Sequence, residues 1–112
     1  MSREEQVKAF TALAEKLESV SGCKLWITES ITDQGFDRHG TTHASFGFTL
    51  KQTSWRFSGG RLMLDGTEDE LYEVSPQIVD CRIDASHIEV VEYMGSNTNG
   101  HQLQRRTKIV IK

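Results

Sequence analysis

Between Ile31 and Thr42 the chain gathers Asp33, Asp37 and His39 around Gly35 and Gly40, with His43 just beyond. Carboxylates and imidazoles are the side chains that hold metals or move protons near neutral pH. His39-Gly-Thr-Thr-His43 has the i, i+4 spacing with which a helix presents two histidines to zinc. Gly40 and the β-branched Thr41 and Thr42 are poor helix material, and no glutamate lies between the histidines to act as a general base. The segment therefore reads as a long loop in which no metal is expected, and Asp37, His39 and His43 stand as weak acid–base candidates. If strand alternation starts at Thr41, His43 points with Ser45 and Gly47 away from Phe46, toward solvent.

Nucleophilic catalysis needs a Cys or Ser beside a base, and nothing in the chain has the strand–turn–helix setting of a nucleophile elbow. Cys81 falls on an apolar parity and reads as a core thiol. Cys23 has only Lys24 beside it to lower its pKa. With no secretory signal at the polar start Met1–Glu5, both thiols are expected reduced, without a disulfide, in a cytoplasmic protein. Gly59-Gly60 has no following helix, so it is a hairpin turn and not a phosphate loop. No cofactor motif is present.

Arg105, Arg106, Lys108 and Lys112 make the last strand the most basic part of the chain. A nucleic-acid platform would look like this, with Arg106 opposite Tyr93 and Lys108 opposite Val91. Asp80, Glu89 and Glu92 lie close by, however. Thirteen basic against sixteen acidic residues leave a net charge of −3, which disfavours nucleic acid as a partner. Trp26 and Tyr93, with Val91, Val110 and Met63, share the outward parity of their strands and form an apolar patch of the kind that marks an interface, or a homo-oligomer through that face. Trp55 and Phe57, with Phe46 and Phe48, share the other parity, where they line a pocket for a small apolar ligand or simply fill the core.

The elements that must position these groups follow from periodicity. Ser2 and Glu5 form a capping box, and Val7, Phe10, Leu13, Ala14, Leu17 and Val20 recur at helical spacing, which predicts an amphipathic helix over 3–21 stopped near Gly22. From residue 23 onward the period is two, as in Leu25 and Ile27 set against Lys24, Trp26 and Thr28. A two-residue turn at Gly59-Gly60 pairs Phe57 with Leu62 and Trp55 with Leu64, and a turn at Gln52-Thr53 brings Leu50 opposite Trp55. Asp65–Glu70 reads as a turn entering a capped helical turn before Pro76. A turn at Ala85-Ser86 pairs Ile83 with Ile88 and Cys81 with Val90, and a turn at Asn99-Gly100 pairs Val90 with Ile109 and Ile88 with Ile111.

At 112 residues, with no linker-like stretch and no apolar run long enough for a bilayer, the chain reads as one α+β domain, 1–112. Its N-terminal helix packs on a curled antiparallel sheet, or a small up-and-down barrel, of six to seven strands. The function read from this is a non-enzymatic binding module. It uses the sheet for a protein partner or a small apolar ligand, with Trp26, Trp55, Phe57, Tyr93 and Arg106 as contact residues. The alternative is a small enzyme with its acid–base site on the loop. A nucleic-acid-binding domain using the basic C-terminal strand is the weakest of the three.

Overall fold

A computed structural model describes residues 1–34, 41–56, 60–96 and 98–112, with only the backbone at 55 and 56. The capping box forms as the sequence predicts: Ser2 Oγ accepts from the Glu5 amide at 3.1 Å, and Glu5 Oε1 accepts from the Ser2 amide at 3.2 Å. Those bonds from the Ser2 backbone and side chain hold the Glu5 carboxyl below its usual range. The helix α1 spans Arg3–Ser19, and Gly22, at a φ of +91° that disfavours side chains, turns the chain into the sheet. Phe10, Leu13 and Leu17 are buried, whereas Val7, placed on the same face by spacing, is 57% exposed.

Seven strands follow: β1 Lys24–Asp33, β2 Thr41–Arg56, β3 Arg61–Gly66, β4 Leu71–Val74, β5 Ile78–Ile83, β6 His87–Ser96 and β7 Gln102–Ile111. They form one antiparallel sheet in the order β4-β3-β2-β1-β7-β6-β5. The sheet curls into a half-barrel with β4 and β5 as its edges. Helix α1 lies in the concavity against β5 and β2. Its three buried residues meet Leu25, Ile27, Phe48, Leu50, Leu62, Leu64, Val74, Ile78, Ile88, Val90 and Ile109 in one core. Phe48 is core, and Phe46 packs partly buried against it. Phe57 lies outside the described residues. Among the described residues no helix is long and apolar enough to cross a membrane.

The edge strand β5 is shielded. The Asp84 amide bonds to the His87 carbonyl, a phase that turns the backbone groups of Cys81 and Ile83 away from β6. Asp80 Oδ1 caps the Cys81 amide at 3.0 Å. From the helix, Gln6 Nε2 bonds to the Ile78 carbonyl and Lys16 Nζ to the Ala85 carbonyl, so α1 covers an edge that could otherwise recruit another strand.

The β5–β6 register is the predicted one, with Cys81 opposite Val90 and Ile83 opposite Ile88. Two other hairpins differ from expectation by two residues. Trp55 pairs with Leu62 and Thr53 with Leu64, because Arg56 faces Arg61 and the connection spans 57–60 in place of a two-residue turn. Val90 pairs with Thr107 and Ile88 with Ile109, because Ser96 faces Gln102 and Asn99-Gly100 sits inside a longer connection next to a bulge. In consequence Arg106 lies opposite Val91 and Lys108 opposite Glu89. A slip of two keeps every side chain on its face.

No turn forms at Gln52-Thr53, and β2 runs straight through. That dipeptide has neither Gly, Asn nor Pro to reverse the chain, and Thr53 and Trp55 favour the extended form. The interruption is a bulge at Lys51. The segment Asp65–Glu70 forms no helical turn. Gly66 ends β3, Asp69 takes a φ of +66°, and Glu70 closes the loop by accepting from the Glu68 amide at 2.8 Å, which leads directly into β4.

Candidate functional site

Of the loop candidates, Asp37 and His39 lie outside the described residues. His43 is exposed at the start of β2, as its parity requires. Asp33, at the end of β1, sits with its carboxylate 3.6 Å from His101 Nδ1. Among the described residues no group of three or more His, Cys, Asp and Glu side chains is placed to hold a metal ion. Cys81 is half-buried, and burial first, then the Asp80 carboxylate, pushes its thiol up to about 11, which leaves it a poor nucleophile near neutral pH.

Inside the half-barrel, beyond the apolar core, the inward parity ends in a polar cluster that the sequence reading overlooked. Glu92 on β6 is 0% exposed and faces Arg105 on β7 directly across the ladder. Arg105 donates to it three times, from Nε to Oε1 at 3.1 Å and from one terminal nitrogen to Oε1 and Oε2 at 2.9 and 2.8 Å. The same nitrogen donates to the Glu73 carbonyl of edge strand β4 at 2.7 Å, and the Ser75 amide donates to Glu92 Oε2 at 2.8 Å.

The Arg105 guanidinium lies 5.2 Å from the centroid of the Tyr72 ring. The Tyr72 hydroxyl bonds to Glu29 on β1 at 3.0 Å and to Thr107 on β7 at 2.7 Å. Burial raises the Tyr72 phenol well above its ordinary range, against the opposing pull of Thr107 and Arg105, so it stays protonated and donates. Burial lowers the Arg105 pKa, but the bond to Glu92 and its charge outweigh that, and the net direction is upward.

These groups satisfy one another, and they reach across the concavity from β4 to β1, β6 and β7. They tie β4 to β1, β6 and β7 by hydrogen bonds and charge. The signal was in the alternation, since Glu92 shares parity with Ile88 and Val90, and Arg105 with Thr107 and Ile109.

The convex face carries the other set. Trp26 is 42% exposed, the largest ring on that side among the described side chains. Its cross-strand neighbours are Gly47 on β2 and Val110 on β7, and Val110 neighbours His87 on β6. A Cβ on Gly47 would come within 2.7 Å of Trp26 Cε3, so the indole lies flat over the glycine, with one face on the sheet and the other toward solvent. Beside this row a hollow of about 350 Å³ is lined by Arg82, His87, Glu89, Lys108 and Val110 among others.

The apolar patch expected around Trp26 is narrower than the parity suggested. Val91 and Met63 are only 4% and 8% exposed. Tyr93 is half-buried, with its hydroxyl 3.3 Å from Ser96, and Arg106 is exposed, its Nε 3.4 Å from Glu89. Sequence reading did not single out Lys24, Arg82 and His87 as site residues, and took Lys108 only as part of the basic last strand. Lys24 shares β1 with Trp26, whereas the adjacency of Arg82, His87 and Lys108 to Trp26 depends on strand order.

No family model matches the chain, and no curated protein matches it. Among solved structures it is similar to the YojF protein of Bacillus subtilis, at 18% identity and a TM-score of 0.60, over 91% of this chain and 89% of that one. At that identity the likeness carries the fold alone.

Proposed function

We propose that this chain is a non-enzymatic binding module that receives a protein partner on the convex face of β1, β7, β6 and β5. The observation that carries the reading is the row Gly47, Trp26, Val110, His87, in which an indole lies flat and half open to solvent beside a hollow. Aromatic anchors beside a depression are what protein interfaces concentrate their affinity in. For the small-ligand reading, α1 with Phe10, Leu13 and Leu17 fills much of the concavity, and a hollow of about 380 Å³ remains beside the helix, lined by Val7, Phe10, Thr11, Pro76 and Gln77 among others. The loop-based enzyme reading retains one described side chain, the exposed His43.

The test is affinity capture on immobilised wild-type, Trp26→Ala and His43→Ala chains, followed by reconstitution with the purified captured protein. A complex that forms with wild type and His43→Ala but weakens by about 2 kcal/mol with Trp26→Ala, roughly 30-fold in Kd, is expected. Equal binding by Trp26→Ala and wild type would overturn the assignment of the face.

A further inference from the structure

The charges of this chain are sorted by face. On the convex side of β1, β7, β6 and β5, register and parity place Lys24, Lys108, Arg106 and Arg82, with Lys112 at the end of the Lys24 row. All five are exposed. The same face carries three carboxylates, Asp80, Glu89 and Asp84, of which the first two are half-buried. Arg106 and Arg82 lean over these two, with Arg106 Nε 3.4 Å from Glu89 and Arg82 Nε 3.7 Å from Asp80.

The face thus holds five of the thirteen basic residues and three of the sixteen acidic ones, a surplus of two positive charges; the remaining eight and thirteen leave the rest of the chain at −5. The overall charge of −3 hides this division. The positive groups surround the Trp26–Val110–His87 row, so the anchor and the field coincide.

We propose that the partner of the convex face is an acidic protein segment, in which carboxylates meet Lys24, Lys108 and Arg82 while an apolar side chain seats on Trp26. This rests on the reading of that face as the binding surface. The interleaved carboxylates favour a polypeptide over a nucleic acid. A phosphate backbone would be repelled by Asp80, Asp84 and Glu89, whereas the mixed charges of a protein surface can answer them individually. Complementary charge of this kind sets encounter rate and orientation, and salt weakens it.

The probe is a glutamate-rich peptide of about 20 residues carrying one central leucine and two lysines, long enough to cross the four strands at their separation of about 4.8 Å. Binding is followed by backbone amide shifts and indole fluorescence at about 20 mM salt, where charges act over roughly 20 Å. Trp26→Phe separates the signal of Trp26 from that of Trp55. Shifts confined to β1, β7, β6 and β5, a loss of affinity of roughly tenfold or more in Lys24→Glu/Lys108→Glu, and abolition near 0.5 M salt are expected. Lys24→Gln/Lys108→Gln repeats the test with less perturbation, and circular dichroism checks that both variants fold.

No binding of the peptide, shifts elsewhere, or unchanged affinity in a folded double variant overturns the proposal. So does an oligothymidylate of similar length that binds more tightly than the peptide. A captured protein that needs Trp26 but is indifferent to salt and to Lys24 and Lys108 would leave the binding face standing and remove only its acidic partner.

Discussion

At the scale of single residues, the fold spends its most demanding interaction on Glu92 and Arg105. A buried ion pair adds little over a well-packed apolar pair, but removing one partner strands the other's charge away from water. Arg105→Ala leaves Glu92, fully buried, with only the Ser75 amide among the described residues, so a loss of about 3–5 kcal/mol is expected in urea unfolding. A loss near that of a surface arginine would show that water reaches the site. Cys81 tests burial independently. Its thiol titrates near 11 against an ordinary 9.0, so the folded state favours the protonated form, and stability falls as pH rises from about 9 toward 11. In a Cys23→Ser background, the rate of alkylation by iodoacetamide should climb with a midpoint near 11, and a midpoint near 9 would place the thiol in water.

At the scale of elements, α1 is a part of the core and not an arm laid on the surface. Phe10 and Leu13 each project among side chains of the concave face, so Phe10→Ala or Leu13→Ala should cost about 2–5 kcal/mol through lost burial and an unfilled cavity. An unfolding midpoint that hardly moves in either variant would mean that the sheet stands without its helix. The helix was legible because capping box and spacing are local signals, and β5–β6 was legible because a short turn sets its own register. The β2–β3 and β6–β7 registers were not, since connections of four and five residues replace the two-residue turns that Gly59-Gly60 and Asn99-Gly100 suggested. Glycine says that a chain can reverse; bulges and neighbouring strands decide where it does.

At the scale of the whole molecule, the curl of the sheet depends on side chains that bridge its concavity. Tyr72→Phe keeps the ring against Phe46 and under Arg105 but deletes the hydroxyl shared by Glu29 and Thr107. It should cost about 1–3 kcal/mol, and amide exchange should quicken first in β3 and β4, with β1, β6 and β7 keeping their protection. Uniform acceleration would show that the bridge stabilises the molecule without holding the edge. The sequence alone determined the helix and the alternation of β1, β3, β5, β6 and β7, because a period of two survives any slip by an even number of residues, but it read β4 as a connector and broke β2 at a turn that does not form. Only the tertiary structure decided which residues stand opposite one another. A register moved by two turned Glu92 and Arg105 into a buried pair, and strand order brought Lys108 and Arg82 from distant parts of the chain onto the convex face that carries Lys24 and Trp26. Those outcomes rest on loop lengths, bulges and packing between residues far apart in sequence, which no local pattern encodes.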